Sequence, residues 1–289
     1  MESAEFCDLE ESILVMTKPL VSVIITCFNH KDYVDEALRS VITQEYNNVE
    51  IFLIDDASTD GSIEVVLSLK EEYPHINLIL NQQNMGICKS FNRALELSTG
   101  DFVIDLAADD FLLPTKIAKQ INMFQTLSSE YGVVYSDLIH VDESSSRIPD
   151  LSSNKIFPEG DVFNKVLARH CIYASTMLVK REVYSDLGGY DETLAYEDFD
   201  FFVRTARKWK FSCIKEPLMA KRELSNSLGK QFFKNGNLLT SSTLKVCKKA
   251  KKLVLNRDEK KALKKRLYYE AFDAFRKGDW RMGICFLFC

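Results

Sequence analysis

DFVIDLAADDFLLPTK, Asp101 to Lys116, runs an apolar strand directly into two adjacent aspartates and then a proline. The run reads as sheet core, yet it ends in a doubled negative charge. Adjacent carboxylates repel each other and are costly to desolvate, so a strand end that carries two of them has a use for them. A second pair, Asp55-Asp56, closes VEIFLIDD (49 to 56) in the same way. Ligands of an open parallel sheet sit beyond the carboxyl ends of its strands, so both pairs are expected to face one cleft.

The flanking chain supports such a sheet. VSVIITCF (21 to 28) is a continuous, largely β-branched run of the kind buried on both faces. In YVDEALRSVI, Val34, Ala37, Leu38 and Val41 fall at i, i+3, i+4 and i+7, an amphipathic helix. SIEVVLSLKEEY predicts a second helix with Ile63, Val66 and Leu67 inward, and NLILN a third strand. MGICKSFNRALELSTG sets Ile87, Phe91, Ala94 and Leu95 on one helical face, with Gly100 as the expected C-cap. Pro114 opens a helix through Ile117, Ile121 and Phe124, and YGVVYSD is a further strand. Strands alternating with helices imply right-handed βαβ units and a mostly parallel sheet, an α/β fold.

After about residue 140 the rhythm breaks. A polar loop, DESSSRIPDLSSNK, leads to a strand at ASTMLVK, a glycine-hinged loop at DLGGYDETLAY and a helix at EDFDFFVRTARKW. Phe199, Phe202, Val203 and Ala206 share one face of that helix. From about residue 240 the chain reads helical and lysine-rich. The expected division is a tail at 1–18, a main domain at 19–222 and a helical extension at 223–289.

Composition narrows the function classes. The 289 residues are 46% hydrophobic and 27% charged, which suits a globular domain with an appendage. Eight cysteines form no C-x-x-C pair, and no Asn-x-Ser/Thr sequon occurs, so reduced thiols in a cytoplasmic protein are expected. No run approaches the ~18 apolar residues of a membrane helix. The N-terminus, MESAEFCDLEES, lacks the basic flank and apolar core of a signal peptide. The net charge of −5 hides an asymmetry: residues 223–289 hold 16 Lys/Arg against 6 Asp/Glu, so the remainder is strongly acidic. An acidic body argues against a nucleic-acid groove, and a phosphorylated ligand bound there would need a metal cation.

Several uses of the acid pairs can be set aside. DASTDG matches the first half of a calcium loop, but the twelfth position, where a bidentate acid belongs, is Leu67. A receiver domain would carry its acid pair after the first strand, and VSVIITCFN has none. Neither G-x-G-x-x-G nor a P-loop is present. What remains is a metal held by few protein oxygens and completed by a ligand's phosphates, which suits Mg2+ or Mn2+.

Taken in order, VSVIITCFNHKDYVDEALRSVITQEYNNVEIFLIDDASTDGS, the Asn84-x-Gly86 segment with Asn92 beyond it, AADD, and LGGYDETLAYEDFDFFVR resemble the family 2 glycosyltransferases of GT-A fold. The resemblance spans roughly Val21 to Arg222. It implies a Rossmann-like, mostly parallel sheet flanked by helices. It also implies an inverting enzyme that takes a nucleotide-sugar, with a UDP-sugar favoured, and adds one sugar to a saccharide or lipid-linked acceptor in cell-surface polysaccharide synthesis. By the same resemblance, Thr26, Phe28, Asn29 and Asp56 hold the nucleobase, and Gly86 and Asn92 lie on the donor side. Asp109 meets the ribose and Asp110 the metal. Glu197-Asp198 matches the family's Glu-Asp motif, whose aspartate is the catalytic base, while His170 and Glu197 border the acceptor.

Chemistry supports these roles independently. The leaving nucleoside diphosphate develops charge that a divalent cation stabilises, and an inverting displacement needs a carboxylate to take the acceptor's proton. Asp198 opens a helix, whose dipole favours its ionised form. Two departures bear on the metal. Ala107 stands where the family commonly has an acid, and KRELSNS (221 to 227) lacks the histidine of an Arg-x-His segment. They leave open a non-catalytic, sugar-nucleotide-binding or scaffold protein of the same fold. Asp105, on the same strand face as Asp109, reads as a hydrogen-bonded core acid. A nucleotidylyltransferase would need a glycine-rich basic loop that TCFNHKDY does not supply.

In the extension, residues 244–267 hold 11 Lys/Arg against 2 acids, with Val246, Ala250, Leu253 and Val254 at roughly helical spacing. One reading is a solvated helix packed on the domain. The other is peripheral contact with an anionic membrane at its inner face, which would bring the enzyme to a lipid-linked acceptor. Nucleic acid is not expected, because aromatics are not interleaved with the lysines.

Overall fold

A computed structural model describes residues 18–149, 156–169, 171–225 and 238–289. Its first half follows from the burial demands of four strands. β1 (Val21–Cys27) is buried along its whole length. Its neighbours in the order β3-β2-β1-β4 are β2 (Val49–Asp55), β3 (Asn77–Leu80) and β4 (Phe102–Ala107), all parallel. Val21, Val23, Ile25 and Cys27 face a core shared with α1 (Val34–Ile42), α2 (Ser62–Glu72) and α4 (Lys116–Thr126), while Ile24 faces the core under α3 (Ile87–Leu97). Helices on both faces leave the strand ends as the open side of the sheet.

Beyond β4 the sheet turns mixed. β8 (Leu178–Lys180), which runs into α6 (Arg181–Leu187), enters antiparallel between β4 and β6 (Tyr131–Val141). β9 (Lys210–Arg222) then pairs parallel with β6, and β5 (Phe111–Leu112) antiparallel with β9. A short β7 (Arg147–Ile148) folds back on β6. The parallel order expected from the sequence therefore holds for β3-β2-β1-β4, and β6-β9 adds a second parallel pairing.

β9 has no counterpart among the strands read from the sequence. It contains Pro217, and its register against β6 jumps from Ser136↔Ile214 to Asp137↔Pro217. A proline and a bulge interrupt the period-2 signal that would have announced a strand. Three smaller expectations also shift. Leu67 is 44% exposed because α2 turns Ser62, Val66 and Leu69 inward. Ala174–Thr176 forms a 3-10 turn ahead of β8 rather than extending it. Finally, α3 ends at Leu97 on an extended Ser98, so Gly100 is not its cap.

Gly100 is needed for closeness instead. A Cβ there would lie 2.5 Å from Ser22 Oγ, 2.7 Å from Ser22 N and 2.9 Å from Leu20 O.

The extension is built into the main core. Leu239, Val246, Cys247 and Ala250 of α8 (Leu238–Leu253), Leu263 and Ala271 of α9 (Arg257–Arg276) and Phe286 of α10 (Trp280–Leu287) join the cluster that also covers α5 (Phe163–Ala168) and α7 (Asp198–Ala206). Arg207, just after α7, lies 3.9 Å over the Phe163 ring and 3.0 Å from Glu259 of α9. Arg266 of α9 stacks 4.0 Å over Phe199 of α7. Among the described residues no helix is long and apolar enough to cross a membrane.

Gly100→Ala should cost about 1–3 kcal/mol, because two of the three clashing atoms are backbone. The urea midpoint should fall at unchanged slope. An unchanged midpoint would mean that the Leu20–Ser22 backbone yields freely.

Candidate active site

The two acid pairs flank the end of β1. On one side the Asp56 amide donates to Cys27 O at 2.8 Å, and on the other the Ala108 amide donates to Thr26 O at 2.9 Å. The loops after β1 and β2 are then laced together. Asn29 N donates to Ser58 Oγ (2.9 Å), Thr59 N to Asn29 Oδ1 (2.7 Å), His30 N to Ser62 Oγ (3.0 Å) and Lys31 N to Asp60 Oδ2 (3.1 Å). Asn29 and Ala57 both adopt positive φ, 59° and 60°. Asparagine tolerates that conformation, whereas Ala57 is held in it against its preference. Phe28, 41% exposed, projects from this rim, and Thr26 is buried beneath it.

The first pair is largely structural. Asp55, buried, caps Ser58 through its amide (2.9 Å) and hydroxyl (2.6 Å). Asp56 accepts from Asn81 Nδ2, Met85 N and Gly86 N, each at 2.8 Å. It thereby shapes the approach to α3, where Gly86 takes φ 83° and ψ 157°. Three of the four lone-pair sites of Asp56 are occupied, leaving one on Oδ2. Asn92 is likewise committed. Its Nδ2 donates to Tyr190 O (2.9 Å) and Glu192 Oε1 (3.1 Å), and its Oδ1 accepts from Tyr190 N (2.9 Å), so its amide clamps the glycine-hinged loop.

The second pair sits under strain. Asp110 is 6% exposed and takes one firm bond, from Arg222 N to Oδ1 at 2.9 Å, with Ser175 Oγ 3.5 Å from Oδ2. Burial, reinforced by the charge of Asp109, raises its carboxyl to about 7. Asp109 is more open and lies 3.9 Å from His30 Nε2. Burial opposes the charge on Lys221, but Asp110, Glu223 and Asp109 more than offset it. Glu223 Oε1 lies 3.8 Å from Lys221 Nζ and 2.8 Å from His140 Nδ1.

Two cations that the sequence reading did not assign hold this corner. All five Arg222 N–H groups find acceptors: Asp109 O (3.0 Å), Asp142 O (2.9 Å), Glu143 O (3.1 Å), Ser145 Oγ (3.0 Å) and the Glu36 carboxylate. Lys116, fully buried and lowered to about 7 by burial, donates to Thr176 O at 2.8 Å and so anchors the turn bearing Ser175.

The acids after the hinge form a separate group. Tyr190 OH donates to Asp105 Oδ2 at 2.9 Å, yet burial still lifts that carboxyl to about 7. Glu197 carries a buried Oε2 without a hydrogen-bond partner, and burial, then Asp198 and Asp105, push it well above the usual carboxylate range. Asp198, at the start of α7, is half-exposed and accepts from Phe199 N at 2.5 Å. α8 braces this loop: Ala195 N donates to Ser242 Oγ (2.9 Å), and Tyr196 OH meets Thr243 Oγ1 (2.7 Å). Lys249 bridges Asp191 (2.9 Å) and Asp200. His170 lies outside the described residues.

Among the described residues no group of three or more His, Cys, Asp or Glu could cage a metal. The crowded, underdonated Asp109-Asp110 pair does fit a divalent cation held by one or two carboxylates, with ligand oxygens completing its shell.

A sequence model described as Glycosyl transferase family 2 matches residues 22–188. The chain belongs to glycosyltransferase family 2. It is 28% identical over 199 residues to an uncharacterized glycosyltransferase of Haemophilus influenzae, covering 69% of this chain and 76% of that one. A mannosyltransferase of Pyrobaculum calidifontis, PcManGT, solved with GDP-Man and Mn2+, superposes with TM-score 0.67 at 18% identity over 94% of this chain and 75% of its own. S. aureus TarS 1–349 with UDP-GlcNAc gives 0.66 at 16% over 89% and 73%. The fold is GT-A, and this family 2 chain is a glycosyltransferase rather than a scaffold.

The buried acids of this glycosyltransferase give its stability a direction with pH. Asp105 has an ordinary value of 3.8 and a folded value of about 7. Between the two, the folded state keeps a proton that the unfolded chain has released. The associated stability is full below about pH 4 and is lost as pH rises through about 7. Melting temperature should therefore fall from about pH 5 to about pH 8, and less steeply in Asp105→Asn. Equal slopes for the two proteins would exclude Asp105 as a source.

Proposed function

We propose that this family 2 enzyme is an inverting, divalent-cation-dependent transferase that moves a single sugar from a nucleotide-sugar to a hydroxyl of a saccharide or lipid-linked saccharide in polysaccharide synthesis. The observation that carries the reading is the pairing of two unlike acid groups. One is the crowded Asp109-Asp110 pair at the end of β4, and the other is Asp198 at a helix start beside the buried Glu197. The complexes of PcManGT with GDP-Man and Mn2+ and of TarS with UDP-GlcNAc support a nucleotide-sugar donor and a divalent cation. A UDP-sugar remains the favoured donor.

In this reading the laced rim of Thr26, Phe28 and Asn29 receives the base, with Asp56 and Gly86 fixing the neighbouring loop. Asp109 accepts from the ribose and Asp110 holds the cation. Bound there, Mg2+ or Mn2+ would offset the charge of the departing diphosphate. Lys221 adds a fixed positive charge beside the same pair. Asp198 takes the acceptor's proton. Beside it, burial pushes the Glu197 carboxyl well above the usual carboxylate range. Peripheral attachment at the inner membrane face would suit a lipid-linked acceptor.

Asp198→Asn keeps the carboxylate's shape but cannot accept the proton. It should retain nucleotide-sugar affinity and lose roughly 10²- to 10⁴-fold in transfer rate. Glu197→Gln should cost less. Transfer at the wild-type rate by Asp198→Asn would move the base elsewhere.

Asp110→Asn preserves an acceptor for the Arg222 amide, so the fold should survive. Calorimetry of a nucleoside diphosphate with manganese should show a loss larger than the ~10- to 100-fold that outer partners of a metal typically contribute. Unchanged affinity would remove Asp110 from the cation site.

A further inference from the structure

The exposed apolar surface is concentrated in one place. Of the sixteen large hydrophobic side chains that stand exposed among the described residues, nine lie between Leu238 and Phe288. On α9 the outward positions read lysine at 260, 261, 264 and 265, then Tyr268, Tyr269 and Phe272, the aromatics 63–69% exposed. On α10, Trp280, Ile284 and Leu287 follow at i, i+4 and i+7, 67%, 51% and 48% exposed, with Phe288 beyond them at 86%. Between these helices and the end of α8 lies a groove of about 640 Å³. Leu263, Leu267 and Phe286 line its floor, Arg257, Lys260 and Lys264 stand at its rim, and no acidic side chain lines it.

The lysines of α8 are differently placed. Lys249 is bound to Asp191 and Asp200, Lys245 to Thr193 O, and Lys251 to Cys289 O. Lys248 and Lys252 also stand exposed on α8, but Arg257, Lys260 and Lys264 are the cations of α9 that line the groove beside the aromatics.

We propose that this groove takes an acyl chain of an anionic phospholipid, with Arg257, Lys260 and Lys264 on its phosphate and the aromatic face of α9 and α10 in the head-group layer. An apolar floor under a rim whose charged side chains are all cationic is complementary to an anionic amphiphile. A free phosphate would leave the floor wet, and a second copy would bring two strongly basic faces together. Tyrosine and tryptophan at the rim suit the boundary between head groups and chains. The proposal rests on the peripheral-membrane part of the functional reading. It narrows the contact expected of residues 244–267 to their second half and extends it to the aromatic surface through Phe288.

The test is co-sedimentation of the full chain with vesicles of phosphatidylcholine alone or mixed with phosphatidylglycerol, beside transfer to a soluble saccharide acceptor. Wild type should bind only the mixed vesicles. The triple variant Arg257→Gln, Lys260→Gln, Lys264→Gln should bind them roughly 100-fold more weakly, at about fivefold per charge. Leu255→Ser with Leu287→Ser, both at exposed positions lining the groove, should also weaken binding. Soluble transfer should be unchanged in both variants.

Binding of neutral vesicles as tightly as mixed ones would overturn the proposal. So would serine variants that sediment like wild type, an oligonucleotide bound as tightly as the mixed vesicles, or a dimer that the serine changes disperse. Failure of the wild type to bind mixed vesicles, with its transfer intact, would count against this site alone. Binding without any transfer would count against the enzymatic reading alone.

Discussion

The Arg222 guanidinium lies out of water at the end of a long, bulged strand, and three segments distant in sequence converge on it. Three of its acceptors are carbonyls from the β4 end and the β6–β7 hairpin, and the carboxylate of Glu36 comes from α1. Tyr33 and Phe111 lie within 4.6 and 5.8 Å of its charge. A guanidinium can do this because its five donors are fixed in one plane; an ammonium has three and no plane. The same residue's amide holds Asp110, so the carboxylate's position is set by the strand that Arg222 terminates. Without that anchor, two repelling aspartates at a strand end would have little reason to remain close.

The acids of the site separate according to the donors that the backbone offers them. Asp55, Asp56 and Asp60 accept amide and hydroxyl hydrogens and spend their charge on loop shape. Asp105, Asp110 and Glu197 are buried with few donors, and each is raised. The two Asp-Asp pairs, alike in sequence, thus differ in chemistry. The first builds the rim, and the second is left crowded and short of donors.

This division also marks how far the sequence could be read. Strands β1, β2 and β4 and helices α1, α3 and α4 announced themselves because their apolar periods are uninterrupted. β9 did not, since Pro217 and the bulge beside it break the alternation. The acid pairs were legible as charge at the ends of core strands. Arg222 was not, because its partners are main-chain carbonyls some 80 to 113 positions away, which no side-chain pattern encodes. Asn92 is legible as a motif residue but not as a clamp, since that role depends on where the Tyr190 backbone passes. The basic run at 244–267 could not reveal which lysines meet protein, because Asp191 and Asp200 come to Lys249 from another element.

The bracing of the hinge loop by α8 has a consequence for inheritance. The family match ends at residue 188, ten positions before Asp198. Past that point, Ser242, Thr243 and Lys249 tie the loop to the extension. The loop and the extension are therefore one mechanical piece, although a sequence boundary would divide them at about residue 222. A recombination between relatives that joined one enzyme's residues 1–222 to another's tail would bring unmatched partners to Ala195, Tyr196 and Asp191. A crossover near Gly188 would carry the brace with the loop it supports, leaving the contacts of Asn92 and Asp105 with Tyr190 as the partners to be matched.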